Sequence, residues 1–239
     1  MAGSVTTALA NSFLAEILSA GHCMEPPQTG VACTCSSTTA MVLTTAQTGI
    51  TVGMAVTGTN AAANTVVAAL SATAANVTIA PASTGALTSA TFTGDVFKIA
   101  LIASALAGNV AYGTLTTNYG SGSGTPTQSN LGTDEQSASG SYAAGGLAIV
   151  PAAIAQTNPV NSAAVGFSTT IQWTSATLSV AGAQIYNTTP RMSAAAAPVA
   201  GRMCAVYSFG GTQSVTSGTM TLTQPTQDGH TGLIRISPN

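Results

Sequence analysis

The chain has 239 residues, of which four are Lys or Arg and six are Asp or Glu, for a net charge of −2. An average soluble domain is about a quarter charged, so this surface is built mainly from hydroxyls, amides and small apolar groups, with little repulsion to keep copies apart. Lys98, Arg191, Arg202 and Arg235 are scattered singly, which argues against nucleic acid as a partner, and the longest apolar run, Tyr142 to Ala155, is broken by Gly145, Gly146 and Pro151, short of the ~20 residues of a membrane span.

Residues 5–20, VTTALANSFLAEILSA, predict the one helix. Leu9, Phe13 and Ile17 recur every four residues, with Leu14 and Leu18 beside them, and Gly21 suits the stop. An isolated helix this short is marginal in water, so the face at Leu9, Phe13 and Ile17 packs either on its own domain or on a neighbour. It is the candidate assembly face. Glu16 interrupts the apolar stretch and no basic region precedes it, which argues against a cleaved secretory signal and for synthesis in a cytoplasm.

After Pro26 and Pro27 the period changes to two. Strands are predicted at Ala40–Thr44, Met54–Thr57, Thr65–Leu70, Asn76–Ala80 and Leu87–Thr93, separated by Gly, Asn and Ser. Even spacing of such short strands signals a small all-β module. Further strands are predicted at Val96–Ile102, Gly146–Val150, Val165–Trp173, Thr177–Tyr186, Met203–Phe209, Thr219–Thr223 and Leu233–Ile236. Leu178 and Val180 share one face of their strand, as do Met220 and Leu222, with Ser or Thr between, as a half-buried antiparallel sheet requires. The Gly/Ser/Thr-rich stretch from Asn118 to Ser141 reads as a long exposed loop.

Few residues could carry chemistry. His22 and Cys23, followed by Cys33 and Cys35, form the one ligand-type cluster, but the paired C-x₂-C spacing of zinc sites is absent, so no metal or other cofactor is expected. Cys33 and Cys35 fall on one side of a strand. They either join Cys23 in a disulfide, within or between subunits, or stay as free thiols; Cys204 alternates with Val206 and reads as core. His22 and His230 are the only imidazoles, and neither sits in a nucleophile motif. Asp134-Glu135 reads as a solvated loop tip, Asp228-Gly229-His230 as a turn, and Trp173 as a core residue more readily than a sugar platform. YGSGSG at 119–124 lacks the Lys of a phosphate loop. No catalytic constellation results, and no enzyme activity is expected.

The succession NSFLAEILSAGH, GDVFKIALI at 94–102, SGSYAAGG at 139–146, WTSATLSVAGAQIYN at 173–187, AVYSFGG at 205–211, SGTMTLTQP at 217–225 and GLIRIS at 232–237 resembles a family of small virion structural proteins of tailed bacteriophages. The likeness covers residues 4–23 and 94–239. In that family the opening helix runs almost directly into the GDVFKIAL-type strand, whereas here roughly seventy residues intervene. Their GITVGMAVTGT at 49–59, TVVAAL at 65–70 and NVTIAPAST at 76–84 resemble a small β module of phage structural and fibre proteins. Gly53 supplies freedom for its VGM turn; the usual Gly-Ile-Pro after the GT is replaced by Asn60-Ala-Ala-Ala-Asn64, so the second turn is built differently.

These readings together give an all-β chain. Residues 1–32 and 94–239 form an antiparallel β-sandwich or jelly-roll-like domain with its N-terminal helix, and residues 33–93 an inserted small β module. The resemblance implies a non-enzymatic protein of the virion, with a capsid decoration, or cement, role favoured. Its partners would be the major capsid protein and copies of itself, a trimer being favoured. The alternative is a tail, neck or fibre component that binds a host glycan or receptor.

Overall fold

From Pro27 onward the chain turns alternate side chains inward wherever apolar residues fall at every second position, and strands form there. The computed structural model describes residues 6–9, 27–47, 49–71, 75–150, 155–157, 162–167, 170–189, 191–193, 196–199, 201–224 and 234–236. These residues are nearly all β, and no α-helix occurs among them. The chain divides into two compact units.

One unit contains a closed antiparallel barrel of β2 (Gln28–Ser36), β3 (Ala40–Leu43), β4 (Ala55–Thr57), β5 (Val66–Leu70), β6 (Asn76–Ala80) and β7 (Ala86–Thr93), in the order β2-β3-β6-β5-β4-β7. Val31, Cys33 and Cys35 of β2, Met41 and Leu43 of β3, Val77 and Ile79 of β6, and Leu87, Ala90 and Phe92 of β7 point inside. Closure leaves no strand edge over. The first and last strands pair, with Gln28 opposite Phe92 and Val31 opposite Ala90, so the barrel's two ends are neighbours. Gly53, in the VGM turn, has φ +94°, and its amide donates to Val67 O. The Asn60–Asn64 turn replaces glycine with two left-handed asparagines at φ 67° and 60°, the non-glycine residue type that tolerates this conformation best. Asn60 Nδ2 donates to Ala86 O at 2.7 Å, and Asn60 O accepts from the Thr84 amide and hydroxyl. The same unit holds a three-stranded sheet, β10 (Ala155–Thr157), β11 (Ser162–Val165) and β16 (Ile234–Ile236).

The other unit is organised on a five-stranded sheet in the order β1-β15-β12-β8-β9, from β1 (Thr6–Leu9), β8 (Phe97–Ala103), β9 (Leu147–Ile149), β12 (Ile171–Asn187) and β15 (Arg202–Leu222). A two-stranded ribbon joins β13 (Arg191–Ser193) and β14 (Ala196–Val199). At the centre of the sheet, Ile99–Leu101 of β8, Gly182–Asn187 of β12 and Met203–Tyr207 of β15 are buried on both faces. Beyond it β12 and β15 run on as a ribbon with one buried face, carrying Ile171, Trp173, Ala176, Leu178 and Val180.

Several sequence expectations are corrected. Thr6–Leu9, expected to open a helix, is a strand paired with Ala205–Ser208, because an edge of β15 is there to take its backbone groups. Leu9 ends that strand; Phe13, Ile17 and the rest of the predicted helix lie outside the described residues. Val165–Trp173 is not one strand, since β11 stops at Val165 and β12 starts at Ile171. Thr177–Tyr186 belongs to a 17-residue strand, and the two strands expected at 203–209 and 219–223 are one strand of 21 residues. The Gly210-Gly211 and Ser217-Gly218 breaks, which lay between those two expected strands, are absorbed as bulges, with Ser217 at φ 48°. The barrel opens at Gln28, five residues before the Cys33 boundary expected for the module.

Phe92 is fully buried and is the one aromatic residue of the barrel core. Phe92→Ala should destabilise the barrel by about 3–5 kcal/mol. The chain's single Trp, Trp173, is buried in the other unit. Thermal scans should therefore show an early far-ultraviolet transition in the variant while the Trp173 emission transition stays near its wild-type temperature.

Candidate functional site

The 118–141 stretch, expected to be an exposed loop, is instead a folded segment held by hydrogen bonds to itself and to the sheet. It belongs to a crossover from Ser104 to Gly146 whose Tyr119, Leu131, Asp134, Glu135 and Tyr142 are buried. Three glycines in YGSGSG, Gly120, Gly122 and Gly124, have φ of 78°, 65° and 81°, and they coil the chain around Asn130. Asn130 Oδ1 accepts from Ser121 N, and its Nδ2 donates to Ser123 O at 2.7 Å and Thr125 O at 3.3 Å. The glycines here serve a folded loop, with none of the strand-to-helix context of a phosphate site.

The Asp134-Glu135 pair is corrected from a solvated tip to two buried anchors. Asp134, at the end of a 3₁₀ turn over Gly132–Asp134, accepts through Oδ1 from the amides of Ala107 and Gly108, and through Oδ2 from Tyr112 Oη at 2.8 Å. Glu135 accepts through Oε2 from Tyr119 Oη at 2.5 Å, and through Oε1 from Tyr142 Oη at 2.8 Å and Gly145 N at 2.7 Å. Tyr186 of β12 donates to Gly145 O at 2.6 Å and stacks on Tyr119 with ring centroids 4.3 Å apart. Tyr142 meets Trp173 edge-on at 5.8 Å. Buried carboxylates are stable only when such donors replace water.

The arrangement fixes the crossover to the sheet. Each carboxylate has both oxygens engaged by donors from the chain itself, Asp134 by Tyr112 and two amides, Glu135 by Tyr119, Tyr142 and one amide. That is the pattern of a structural clamp, since a general acid and base must share a reacting atom within hydrogen-bond reach. Burial, first of all, and the nearby carboxylates push the hydroxyls of Tyr112, Tyr119, Tyr142 and Tyr186 well above the usual tyrosine range. Trp173 is buried and offers no sugar platform at the surface.

The crossover also closes one margin of the ribbon. Gln136 N donates to Leu101 O, and Leu101 N to Tyr142 Oη, so the edge of β8 beyond β9 is paired. Along β12, Thr174 N donates to Ser141 Oγ, Thr177 N to Ser139 Oγ and Ser179 N to Gln136 Oε1, while Ser141 N and Ser104 N donate to Thr174 O and Ser179 O. Ser and Gln side chains stand in for a missing strand. Gly140, at φ 58°, passes so close to Ser175 O that a Cβ there would collide with it.

The remaining sequence-named residues lie elsewhere. Cys33 and Cys35 are reduced thiols inside the barrel. Cys33 Sγ donates to Leu87 O at 3.6 Å, Cys35 Sγ donates to Thr38 O and lies 3.3 Å from Ser83 Oγ, and burial pushes the Cys33 thiol upward. Cys204 is buried in β15. Cys23, His22 and His230 lie outside the described residues, and among the described residues no three His, Cys, Asp or Glu side chains converge as metal ligands. Sequence reasoning missed the clamp. Its available signal was the spacing of tyrosines at 112, 119 and 142 around the only paired acids in the chain. Comparison with protein-family models, with curated proteins and with solved structures returns no match.

Two outcomes test the clamp. Glu135→Ala leaves two hydroxyls and an amide buried without their acceptor, at roughly 1–3 kcal/mol each. It should lower the melting temperature far more than Glu135→Gln, which keeps an acceptor oxygen. The four tyrosines are held above their ordinary value of 10.0. The folded state therefore retains protons that the unfolded chain releases, so their stabilising effect is full below about pH 10 and is lost as pH rises beyond it. Denaturant midpoints should fall progressively above pH 10, and less steeply in Tyr119→Phe.

Proposed function

We propose that this chain is a non-enzymatic structural protein of a tailed-bacteriophage particle, and on that particle a decoration, or cement, protein bound to the head lattice. The observation that carries the reading is the location of the acidic groups. Each acidic side chain among the described residues, Asp95, Asp134 and Glu135, is buried. The described surface thus presents no negative charge, and the β12–β15 ribbon has no charged residue of either sign from Ile171 to Val180 or from Gln213 to Leu222. Such a surface gains by burial against other protein and forfeits little desolvation energy in doing so. The sheet's unit, with its carboxylates consumed by the fold, supports a scaffold role over catalysis.

In this reading the partners are the major capsid protein and further copies of the chain, and the site of action is the virion. The five-stranded sheet belongs to the sandwich or jelly-roll-like parent domain, and the barrel is the module inserted into it. A cement protein binds the completed lattice and stabilises it by mass action. Quantitative mass spectrometry of purified virions should find the chain at lattice-like abundance relative to coat protein. Particles lacking it should assemble but rupture at a lower temperature. A few copies per particle, or full thermal stability with lost adsorption to the host, would transfer the assignment to a tail or fibre component that binds a receptor.

A further inference from the structure

The two margins of the β12–β15 ribbon are treated differently. The β12 margin is sealed by Gln136, Ser139 and Ser141. The outer margin of β15 is sealed only at its start. Tyr119 N donates to Gly201 O, Met203 N donates to Thr117 O, and β1 pairs with Ala205–Ser208. From Gln213 to Leu222 that margin has no strand or loop against it among the described residues.

The direction of its free groups follows from the ladder. Ser179 turns its N–H to Gln136 and its C=O to Ser104, away from β15. Ser214, directly opposite Ser179, must then turn its own N–H and C=O away from β12, since opposed residues in an antiparallel pair face each other or face apart together. Thr174 likewise faces Ser141, so Gln172, two residues earlier, faces outward as well, and so does its partner Thr221. Outward-facing backbone groups therefore lie on either side of the Ser217 bulge.

Natural sheets guard such an edge with Lys, Glu or Pro. No Lys, Glu or Pro occurs from Met203 to Leu222, and bulges are the one guarding device this edge carries. We infer that this edge pairs with the same edge of a second copy, antiparallel across a two-fold axis. Among the described edges the choice of occupant follows from length. The other edge strands, β1 and β9 of the five-stranded sheet, β10 and β16 of the three-stranded sheet and β13 and β14 of the two-stranded ribbon, have three or four residues each, and the barrel has no edge. Only β15 offers a matching length, and an antiparallel strand is complementary to itself about a two-fold. Without charge, the strand meets no like charge when laid opposite its copy. β1 shows that the margin accepts an antiparallel strand. This contact supplies the self-association of the proposed function as a two-fold dimer, in place of the trimer expected from the sequence. It rests on that reading only for its place on the particle.

Analytical ultracentrifugation of the purified full chain across concentration, with amide hydrogen exchange, tests the edge separately from the particle role. Wild-type protein should sediment in a monomer–dimer equilibrium. The Ser214 and Thr221 amides should exchange at least ~10-fold more slowly in the dimer than after dilution. Ser214→Pro with Thr221→Pro removes two outward N–H groups without touching the β12 ladder. Ser214→Lys with Thr221→Lys keeps the backbone and adds charge, so it carries the test if the proline pair fails to fold. A folded variant with wild-type Trp173 emission should be monomeric. A wild-type monomer at every concentration, a trimer, dimers undiminished in a folded variant, or unprotected Ser214 and Thr221 amides in the dimer would overturn the proposal. Each result leaves the copy count on virions as the independent measure of the particle role.

Discussion

Backbone N–H and C=O groups at the margin of a sheet must find partners or stay in water, and that requirement organises both units. The barrel meets it by closing on itself, β2 against β7. The five-stranded sheet cannot close, because β12 and β15 are far longer than β1, β8 and β9. It uses the crossover from Ser104 to Gly146 as a surrogate strand, with serine and glutamine side chains supplying what a backbone ladder would. The abundance of Ser and Gly there follows from this. A hydroxyl reaches a neighbouring amide from a backbone that lacks strand geometry, and glycine lets that backbone come close, as at Gly140 beside Ser175 O and Gly146 beside Ile99 O.

The surrogate must be held in place, and the buried acids hold it. A carboxylate in an apolar interior is costly unless hydrogen-bonded, so Glu135 is useful only with Tyr119, Tyr142 and Gly145 gathered around it. Tyr186 links the cluster to β12 through Gly145 O, and Tyr142 both donates to Glu135 and accepts from Leu101 N on β8. Loop, tyrosines and sheet thus form one connected network, in which losing a member leaves others unsatisfied. Gln184 shows the contrast: its side-chain amide is fully buried in β12 with neither polar atom hydrogen-bonded, a cost that this network avoids elsewhere.

How much of this could be read in the sequence depends on the range of the interaction. Five of the six barrel strands were legible, with Asn76–Ala80 placed residue for residue, because alternation in NVTIA is local and its turns carry Asn, Gly and Pro; of β2 only the shared side of Cys33 and Cys35 was read. The Leu178 and Val180 face was legible for the same reason. The long strands were not, since glycine or serine marks a turn and a bulge alike, and only the partner strand decides between them. Asp134 and Glu135 were misread because low complexity around them resembles a solvated loop; their tyrosine partners lie 7 to 22 residues away in sequence. Thr6–Leu9 shows the same limit, as its strand is made by the β15 edge and not by its own pattern.

Scarcity of charge gains meaning from these placements. A chain with few acids can spend them on the surface for solubility or inside for order, and here Asp95, Asp134 and Glu135 are inside. The described exterior loses the repulsion that normally keeps copies and neighbours apart. The ribbon of β12 and β15 loses it most, being uncharged from Ile171 to Val180 and from Gln213 to Leu222 while only one of its margins is sealed among the described residues. Sealing β12 and leaving β15 open makes that line of backbone groups the longest open margin among the described strands, the one along which the proposed copies would meet. An uncharged protein open at every edge would aggregate; in the proposed pairing the long open margin among the described strands is one bulged strand, where a second copy would meet it.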